Sequence, residues 1–545
     1  MRVLEGIQPD CVMYHFEEIA GIPHGSGNTK QISDHLVRFA EEHGLNVTQD
    51  ALGNVIIRKP ATAGCETAPG VILQGHMDMV CEKEPDADIN METDGLHLQV
   101  QKRSELPQFM TGSESDNMDI AVEETGSSKQ GAISVLHTPD DIIITAKGTT
   151  LGGDDGIAVA FMLAILESDN IVHPALECVF TVDEEIGMLG AAGMDMSSLT
   201  GKYLLNIDSE DEGHLLVGCA GGCLTTITIP IERRKQSGTL MLLKIDGLQG
   251  GHSGLEIDKG RANADILLGR VLGDIQRFFD VRIDSEDEVF VSEVFGGTKD
   301  NAIPRSAAAR LLLKNPVGVS GLREFLKQEE EVLKGEYASS EPGLRITLEE
   351  DTAPTYAYPK NKEKPTIGSR VITDASAIIR FLNAVPNGIQ KMSDINPGLV
   401  DTSLNLGILQ TTEDAVIASF CVRGNVNAEK EELMRHLEAV AAEYGGTCTH
   451  EGVYPAWEYA EDSHLRDVMC DCYRSQYDKE MIVETVHAGV ECGLFADQIE
   501  GLEAVSFGPD LKNIHTTEES MDAASVERTW TLVLSVLKCL GETDK

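Results

Sequence analysis

The chain has 545 residues, 41% of them hydrophobic, which is enough material for several cores. At that length roughly three to four domain-sized units are expected. With 44 basic residues against 90 acidic ones the formal charge is −46, which argues against nucleic acid and anionic membranes as partners, because binding phosphate needs clustered Lys and Arg.

The opening "MRVLEGIQPD" lacks the apolar stretch of a signal peptide, and no run approaches the ~18 apolar residues of a membrane span. Twelve cysteines are scattered without a CxxC pair; "CAGGC" and "CDC" are the tightest spacings. The expectation is a cytoplasmic protein with reduced thiols.

Residues 9–43 read as amphipathic helices broken at "GIPHGSGN", followed by strands in "NVIIRKP" and "GVILQGHMDMV". Residues 104–130 are Ser-rich, acidic and aperiodic, which marks an insertion. "DDIIITAKG" is a strand, and "GIAVAFMLAILES" is apolar on every side, the pattern of a buried helix. "LECVFTVDEEIG" and "KYLLNIDSED" are strands that end in acids. Strands alternating with helices define an α/β unit with a largely parallel sheet.

From about residue 221 the pattern changes. "TLMLLKIDGL", a helix over 261–280, "EVFVSEVFGG", "SAAARLLLK", a helix over 320–335 and "LRITLEE" follow in the order βαββαβ, the ferredoxin-like unit. A similar order recurs with a helix near 373–383, strands "LVDTSLNLGILQTT" and "AVIASFCVRG", a helix over 428–443 and strand "GTCTHEGV". After "YPAW" the α/β pattern resumes. The expected organisation is a first domain in two parts, 1–220 and 455–545, interrupted by an inserted domain of two related halves over 221–454.

Acids and histidines gather at the strand ends of the α/β unit: His76, Asp78, Asp154, Asp155, Asp183, Glu184, Glu185 and Asp208, with His487, Glu491 and His515 late in the chain. In an open parallel sheet ligands bind outside the carboxyl ends of the strands, so these groups should converge. Neutral imidazoles with carboxylates are what zinc-like cations bind. On a strand, residues i and i+2 face one side, which would let Asp78 hydrogen-bond the His76 nitrogen turned away from a metal. The neighbours in "TVDEEIG" point different ways, so one carboxylate can bind metal while the other serves as a base.

In order along the chain, "GHMDMV", "GTTLGGDDG", "TVDEEIGM", "NIDSED", "GGHSG", "NAIP", "HAGVECGLF" and "SFGPDLKNIHTTEE" resemble the M20 metallopeptidases, and among them the aminoacyl-histidine dipeptidase branch. The resemblance spans nearly the whole chain. It implies a zinc-aminopeptidase-like α/β catalytic domain interrupted by a lid, here doubled. It implies two divalent ions, zinc first and cobalt or manganese as alternatives, bridged by Asp154; one is also held by His76 and Asp208, the other by Glu185 and His515. Glu184 would be the general base, Asp78 the residue orienting His76, and His252 of the lid a donor to the developing oxyanion. Asn301, Arg423, His487 and Glu491 are the expected substrate-binding residues. The peptide bond after Asp154 should be cis. "GGDDG" departs from relatives that often carry Asn at position 155.

The implied activity is metal-dependent hydrolysis of dipeptides, Xaa-His among them, with a tripeptidase or an N-acyl amino-acid deacylase as the alternative. A serine hydrolase is disfavoured because "GGHSGL" lacks the second glycine of GxSxG, and neither HExxH nor GxxxxGK[ST] occurs. The expected partner is a small peptide. A homodimer is left open, with His252 expected to serve its own chain because the doubled lid can pair internally.

Overall fold

A computed structural model describes residues 2–105, 138–281, 288–315, 318–351, 370–393 and 398–542. Beyond its first two residues, the 104–130 stretch lies outside the described residues. The chain forms two compact units: Met1–Gly218 with Tyr459–Thr485 and Val490–Lys545, and Cys219–Glu458 with Val486–Gly489.

The first unit is built on an eight-stranded sheet. Its centre is parallel: Leu176–Thr181, Val71–His76, Tyr203–Asn206 and Glu503–Ser506 lie side by side. On one side the sheet continues through Val55–Lys59, antiparallel to the centre, and Asn46–Gln49; on the other it continues through His214–Cys219, also antiparallel to the centre, and Ile482–Val486. Every residue of Val71–His76 and of Leu176–Thr181 is buried, as expected of parallel strands covered on both faces. Helix Gly153–Glu167 is buried from Gly153 through Leu166, which accounts for its lack of a polar side. It packs on helix Asp10–Ala20, and its Phe161 meets Trp530 of helix Ala523–Gly541 edge-on, with ring centroids 5.5 Å apart. A separate four-stranded sheet holds Leu511–Lys512, Ser520–Asp522, Ile142–Ala146 and Leu98–Lys102 in that order.

The second unit carries a nine-stranded sheet. Eight strands lie in the order Arg345–Glu350, Thr239–Asp246, Ala307–Leu313, Val289–Gly296, Val400–Thr411, Ala415–Gly424, Gly221–Pro230, Thr447–Tyr454, and Gly388–Met392 pairs with Val400–Thr411. The first four strands are a ferredoxin-like βαββαβ unit in its spatial order of fourth, first, third, second. The next four repeat that order reversed, so the two halves meet along their second strands.

The first strand of the second half is Gly221–Pro230, which precedes the whole first half in sequence. The first half is therefore inserted inside the second, and what looked like a shortened repeat beginning at the helix near 373 is a complete one. At the seam, backbone pairing is confined to Gly296 with Leu409. The Thr411 hydroxyl extends it, donating to the Val294 carbonyl at 2.7 Å and accepting from the Val294 N–H at 2.9 Å.

Helix Ala264–Asp280 of this unit opens with Asn263, whose side chain accepts from the N–H groups of Asp265 and Ile266. Asp265 itself is fully buried, and neither carboxyl oxygen has a partner among the described residues. Burial alone pushes this carboxyl well above the usual carboxylate range. The folded state therefore keeps a proton that the unfolded chain releases above about pH 4, and Asp265 weakens the fold progressively as pH rises. The Asp265→Asn variant should match wild type in thermal unfolding near pH 4 and gain on it steadily toward pH 8. A constant offset between the two proteins across that range would contradict this.

Candidate metal centre

The parallel strands bring their carboxyl ends level. His76 lies opposite Thr181, and Gln74 opposite Asn206, so His76, the 183–185 turn and Asp208 emerge together at one end of the sheet. The turn is sharp: Asp183 has φ 55° and its carboxylate accepts from the Gly27 N–H at 2.7 Å. Loop 151–154 delivers Asp154 at the head of helix Gly153–Glu167, with Gly152 at φ 67°. Segment 513–515 delivers His515, with Asn513 and His515 both at positive φ. Left-handed backbone at non-glycine residues costs free energy and concentrates at functional sites.

Asp154 stands between the two histidines. Its Oδ1 is 3.1 Å from His76 Nε2, and its Oδ2 is 3.0 Å from His515 Nε2. Asp208 Oδ1 lies 3.7 Å from the same His76 nitrogen. Glu185 Oε1 lies 2.9 Å from His515 Nε2 but without the alignment of a hydrogen bond, and it is left unpartnered. The ligand atoms of His76, Asp154 and Glu185 all lie within 4.8 Å of one another, and so do those of His76, Asp155 and Asp208. Asp155 is otherwise committed: its Oδ2 accepts from the His76 N–H at 3.1 Å, and burial pushes its carboxyl well above the carboxylate range. The Asp154–Asp155 peptide is cis, in line with the resemblance.

The position of Asp78 differs from the strand-based expectation. The strand ends at His76, so the i, i+2 rule no longer applies at Asp78. His76 Nδ1 meets the Asp78 backbone carbonyl at 2.9 Å, and the Asp78 carboxylate stands 3.5 Å from that nitrogen. The carboxylate accepts instead from the Glu184 N–H at 3.0 Å and from the Ser26 hydroxyl at 2.8 Å. Asp78 thereby ties the His76 ligand to the Glu184 backbone.

Electrostatically the cluster lacks positive charge. Among the described residues the partners of these carboxylates that can carry positive charge are His76 and His515. Burial pushes Glu184 up to about 8, reinforced by Glu491 and Glu185 and opposed by His76. The adjacent carboxylates of Asp154 and Glu185 favour a protonated His515 and raise it to about 10. Burial works against a charged His76, yet its bonds to Asp154 and Asp78 and the charge of Asp208 raise it well above the usual range. A divalent cation would compete with protons for the same imidazole nitrogens. The donor set of two imidazoles and several carboxylates, with an unpartnered Glu185 oxygen, fits divalent cations.

Glu491 is buried in the first unit. Its Oε2 accepts from Gln74 at 2.5 Å and from Thr181 at 2.7 Å, and Gln74 in turn accepts from Asn206 at 2.6 Å. The remaining expected residues belong to the second unit. His252 Nδ1 accepts from the N–H groups of Gly254 (3.2 Å) and Leu255 (3.0 Å), which places its proton on Nε2. Arg423 is buried with Nε unpartnered. Its Nη1 donates to the Tyr454 hydroxyl at 3.3 Å, and among the described residues no carboxylate pairs with it. His487 uses both ring nitrogens, on Ser403 at 2.7 Å and Asn425 at 2.9 Å; burial, then Arg423 and His252, hold it at about 3, so it is neutral at physiological pH. Asn301 is exposed and its carbonyl accepts from the Ser253 N–H at 2.9 Å. Sequence reasoning passed over Ser26, Gln74, Thr181 and Glu519, since no spacing announces contacts made across the fold. For Glu519 the signal was the unexplained acid in "HTTEE".

A parallel α/β sheet with carboxylates and imidazoles converging at its strand ends is the build of a metal-dependent hydrolase. The chain belongs to peptidase family M20/M25/M40, whose profile matches residues 123–538. It is 32% identical over 540 residues to the cytosol non-specific dipeptidase of Escherichia coli (strain K12), covering 99% of each chain. Its fold matches the crystal structure of aminoacylhistidine dipeptidase from Vibrio alginolyticus with a TM-score of 0.80, at 32% identity and 98% coverage of both chains. A shorter likeness, 29% identity over 113 residues, reaches 20% of this chain and 28% of peptidase T from Shewanella halifaxensis (strain HAW-EB4). Among the described residues no helix is long and apolar enough to cross a membrane.

A cluster that stores like charges without a cation should depend on one for stability. Stripping divalent ions with a chelator should lower the unfolding temperature, and restoring zinc or manganese should return it. At a free-ion concentration 100 times the dissociation constant, one site contributes about 2.7 kcal/mol. Unfolding insensitive to chelation would contradict the reading of the cluster as a metal centre.

Proposed function

We propose that this protein is a metal-dependent dipeptidase of broad specificity, Xaa-His substrates included, acting in the cytosol. The observation that carries the reading is Asp154, whose two oxygens each face a different histidine. Two divalent ions, zinc first with cobalt or manganese as alternatives, would be held by His76 and Asp208 on one side and by Glu185 and His515 on the other, with Asp154 shared. When bound, such a pair supplies a polarised peptide carbonyl and a water made acidic near neutral pH.

The chain's own residues do the rest. Glu184, adjacent to ligand Glu185, accepts the proton of the attacking water and passes it to the leaving amine. Asp78 holds the Glu184 backbone, so the base and the His76 ligand keep a common reference. His252, its proton fixed on Nε2 by the two amides at Nδ1, is suited to donate to the oxyanion. Arg423 supports recognition of a short peptide: a buried guanidinium without a carboxylate partner is a ready site for a substrate's terminal carboxylate. Asn301 is assigned to substrate contact as well. His487 and Glu491, each hydrogen-bonded within its own unit, are assigned to substrate binding. Twelve cysteines without a CxxC pair and the name of the Escherichia coli relative support a reducing compartment. The catalytic and lid domains correspond to the first and second compact units, and a homodimer is not required by this scheme.

The test is a panel of Xaa-His, Xaa-Gly, tripeptide and N-acyl amino-acid substrates with metal analysis. Dipeptides should be preferred; preference for tripeptides or N-acyl amino acids would move the reading to the alternative activities. Glu184→Gln should keep its metal and lose about 10²–10⁴-fold in kcat, the usual contribution of a general base. Loss of metal in that variant would mean that Glu184 and Glu185 have exchanged roles. Arg423→Met should lower kcat/KM about 10- to 100-fold, the worth of a hydrogen bond to a charged group. It should also abolish discrimination against C-terminal amides; discrimination that persists would remove Arg423 from carboxylate binding.

A further inference from the structure

We propose that Glu519 is a positioning residue that sets Asp154 in place and so governs the affinity of the metal pair; this rests on the metal-centre reading above. Glu519 is buried, and its carboxylate collects four consecutive backbone amides. Oε2 accepts from Leu151 at 2.7 Å and Gly152 at 3.1 Å, and Oε1 accepts from Gly153 at 2.8 Å and Asp154 at 3.4 Å. Convergent amides at the head of a helix form an anion site. Here the chain fills that site with its own carboxylate.

The loop is shaped for this occupant. Gly152 needs φ 67°, and a Cβ there would come within 2.8 Å of Met79 Sδ. At Gly153 a Cβ would meet Leu511 Cδ2 at 2.9 Å and Glu519 Oε1 at 3.3 Å. Small residues at 152 and 153 therefore let the carboxylate reach the backbone.

The placement of Glu519 in the chain gives it a consequence for the centre. His515 and Glu519 belong to one short turn, closed by the Glu519 N–H donating to the Thr516 carbonyl at 3.2 Å. That turn grips the 151–154 loop at one end and presents His515 at the other. The 3.0 Å approach of Asp154 Oδ2 to His515 Nε2 joins residues 361 positions apart. The carboxylate of Asp154 has no other protein partner than the two histidines among the described residues. Holding its backbone is therefore what holds its oxygens. A residue that only capped the helix would change stability and leave metal affinity alone.

The experiment is a zinc titration of the metal-stripped full-length protein against a chromophoric chelator, with thermal unfolding of the same samples. Wild type is compared with Glu519→Gln, Glu519→Ala and Glu519→Asp. Glu519→Gln keeps the shape but turns an amide NH₂ toward two of the four N–H groups. It should unfold near wild type yet bind at least one zinc about 10- to 100-fold more weakly, the usual cost of losing a ligand's supporting partner. Glu519→Ala should be weaker still, Glu519→Asp should recover part of the affinity, and in each kcat should fall with KM little changed. Wild-type affinity for both ions in Glu519→Gln and Glu519→Ala overturns the proposal. So does a Glu519→Gln protein that fails to fold where stripped wild type folds, since that makes Glu519 a scaffold residue. If wild type binds two zinc ions but cleaves no dipeptide, the functional reading falls while the titration still decides the role of Glu519.

Discussion

Mutual repulsion among buried carboxylates is the constraint on which the first unit depends. Asp78, Asp154, Asp155, Glu491 and Glu519 are buried around one strand-end cleft, and burying charge is costly unless it is paired or neutralised. The structure meets this in graded ways. Asp78 accepts from a backbone N–H and a hydroxyl, Glu519 from backbone N–H groups, one oxygen of Glu491 accepts from Gln74 and Thr181, and Asp155 is pushed toward its neutral form by burial. What is left over, on Asp154, Glu185 and Asp208, is answered among the described residues by two imidazoles. A pair of divalent cations is the neutralisation that this remainder fits.

The surrounding backbone follows from that demand. Parallel, in-register strands put acids from distant parts of the chain at one level, and left-handed backbone at Asp183 and His515 shapes the turns that carry Glu184, Glu185 and His515. The second unit solves a different problem, that of the sheet edge. A ferredoxin-like half leaves its second strand exposed, and an exposed edge invites pairing with other chains. Here the two halves pair second strand to second strand, with Thr411 completing the ladder where the backbones diverge.

Much of this was legible in the sequence. Acids and histidines at the ends of apolar runs need a reason to be there, and the resemblance singled out His76, Asp154, Glu185, Asp208 and His515 among them; in the structure these five are linked by approaches of 2.9–3.7 Å. The α/β pattern, the helix at 156–168 and most strands of the inserted domain follow from periodicity. Strand Gly221–Pro230 was missed because its partners come almost two hundred residues later, and "CLTTITIP" alone does not say which half it completes. The geometry drawn for Asp78 failed because the strand stops at His76, an end set by the loop and not by local propensity. Glu519 left only an unexplained acid in "HTTEE", with no sign of its role, for a plainer reason. Its partners are backbone amides, which carry no residue identity to read.

The central claim is that Asp154 bridges two cations, and anomalous diffraction from crystals grown with zinc or manganese tests it most directly. Two peaks about 3.5–4 Å apart, the spacing of two-metal sites, should flank the Asp154 carboxylate, one beside His76 and Asp208, the other beside Glu185 and His515. A single peak, or a pair with Asp154 outside it, would contradict the account.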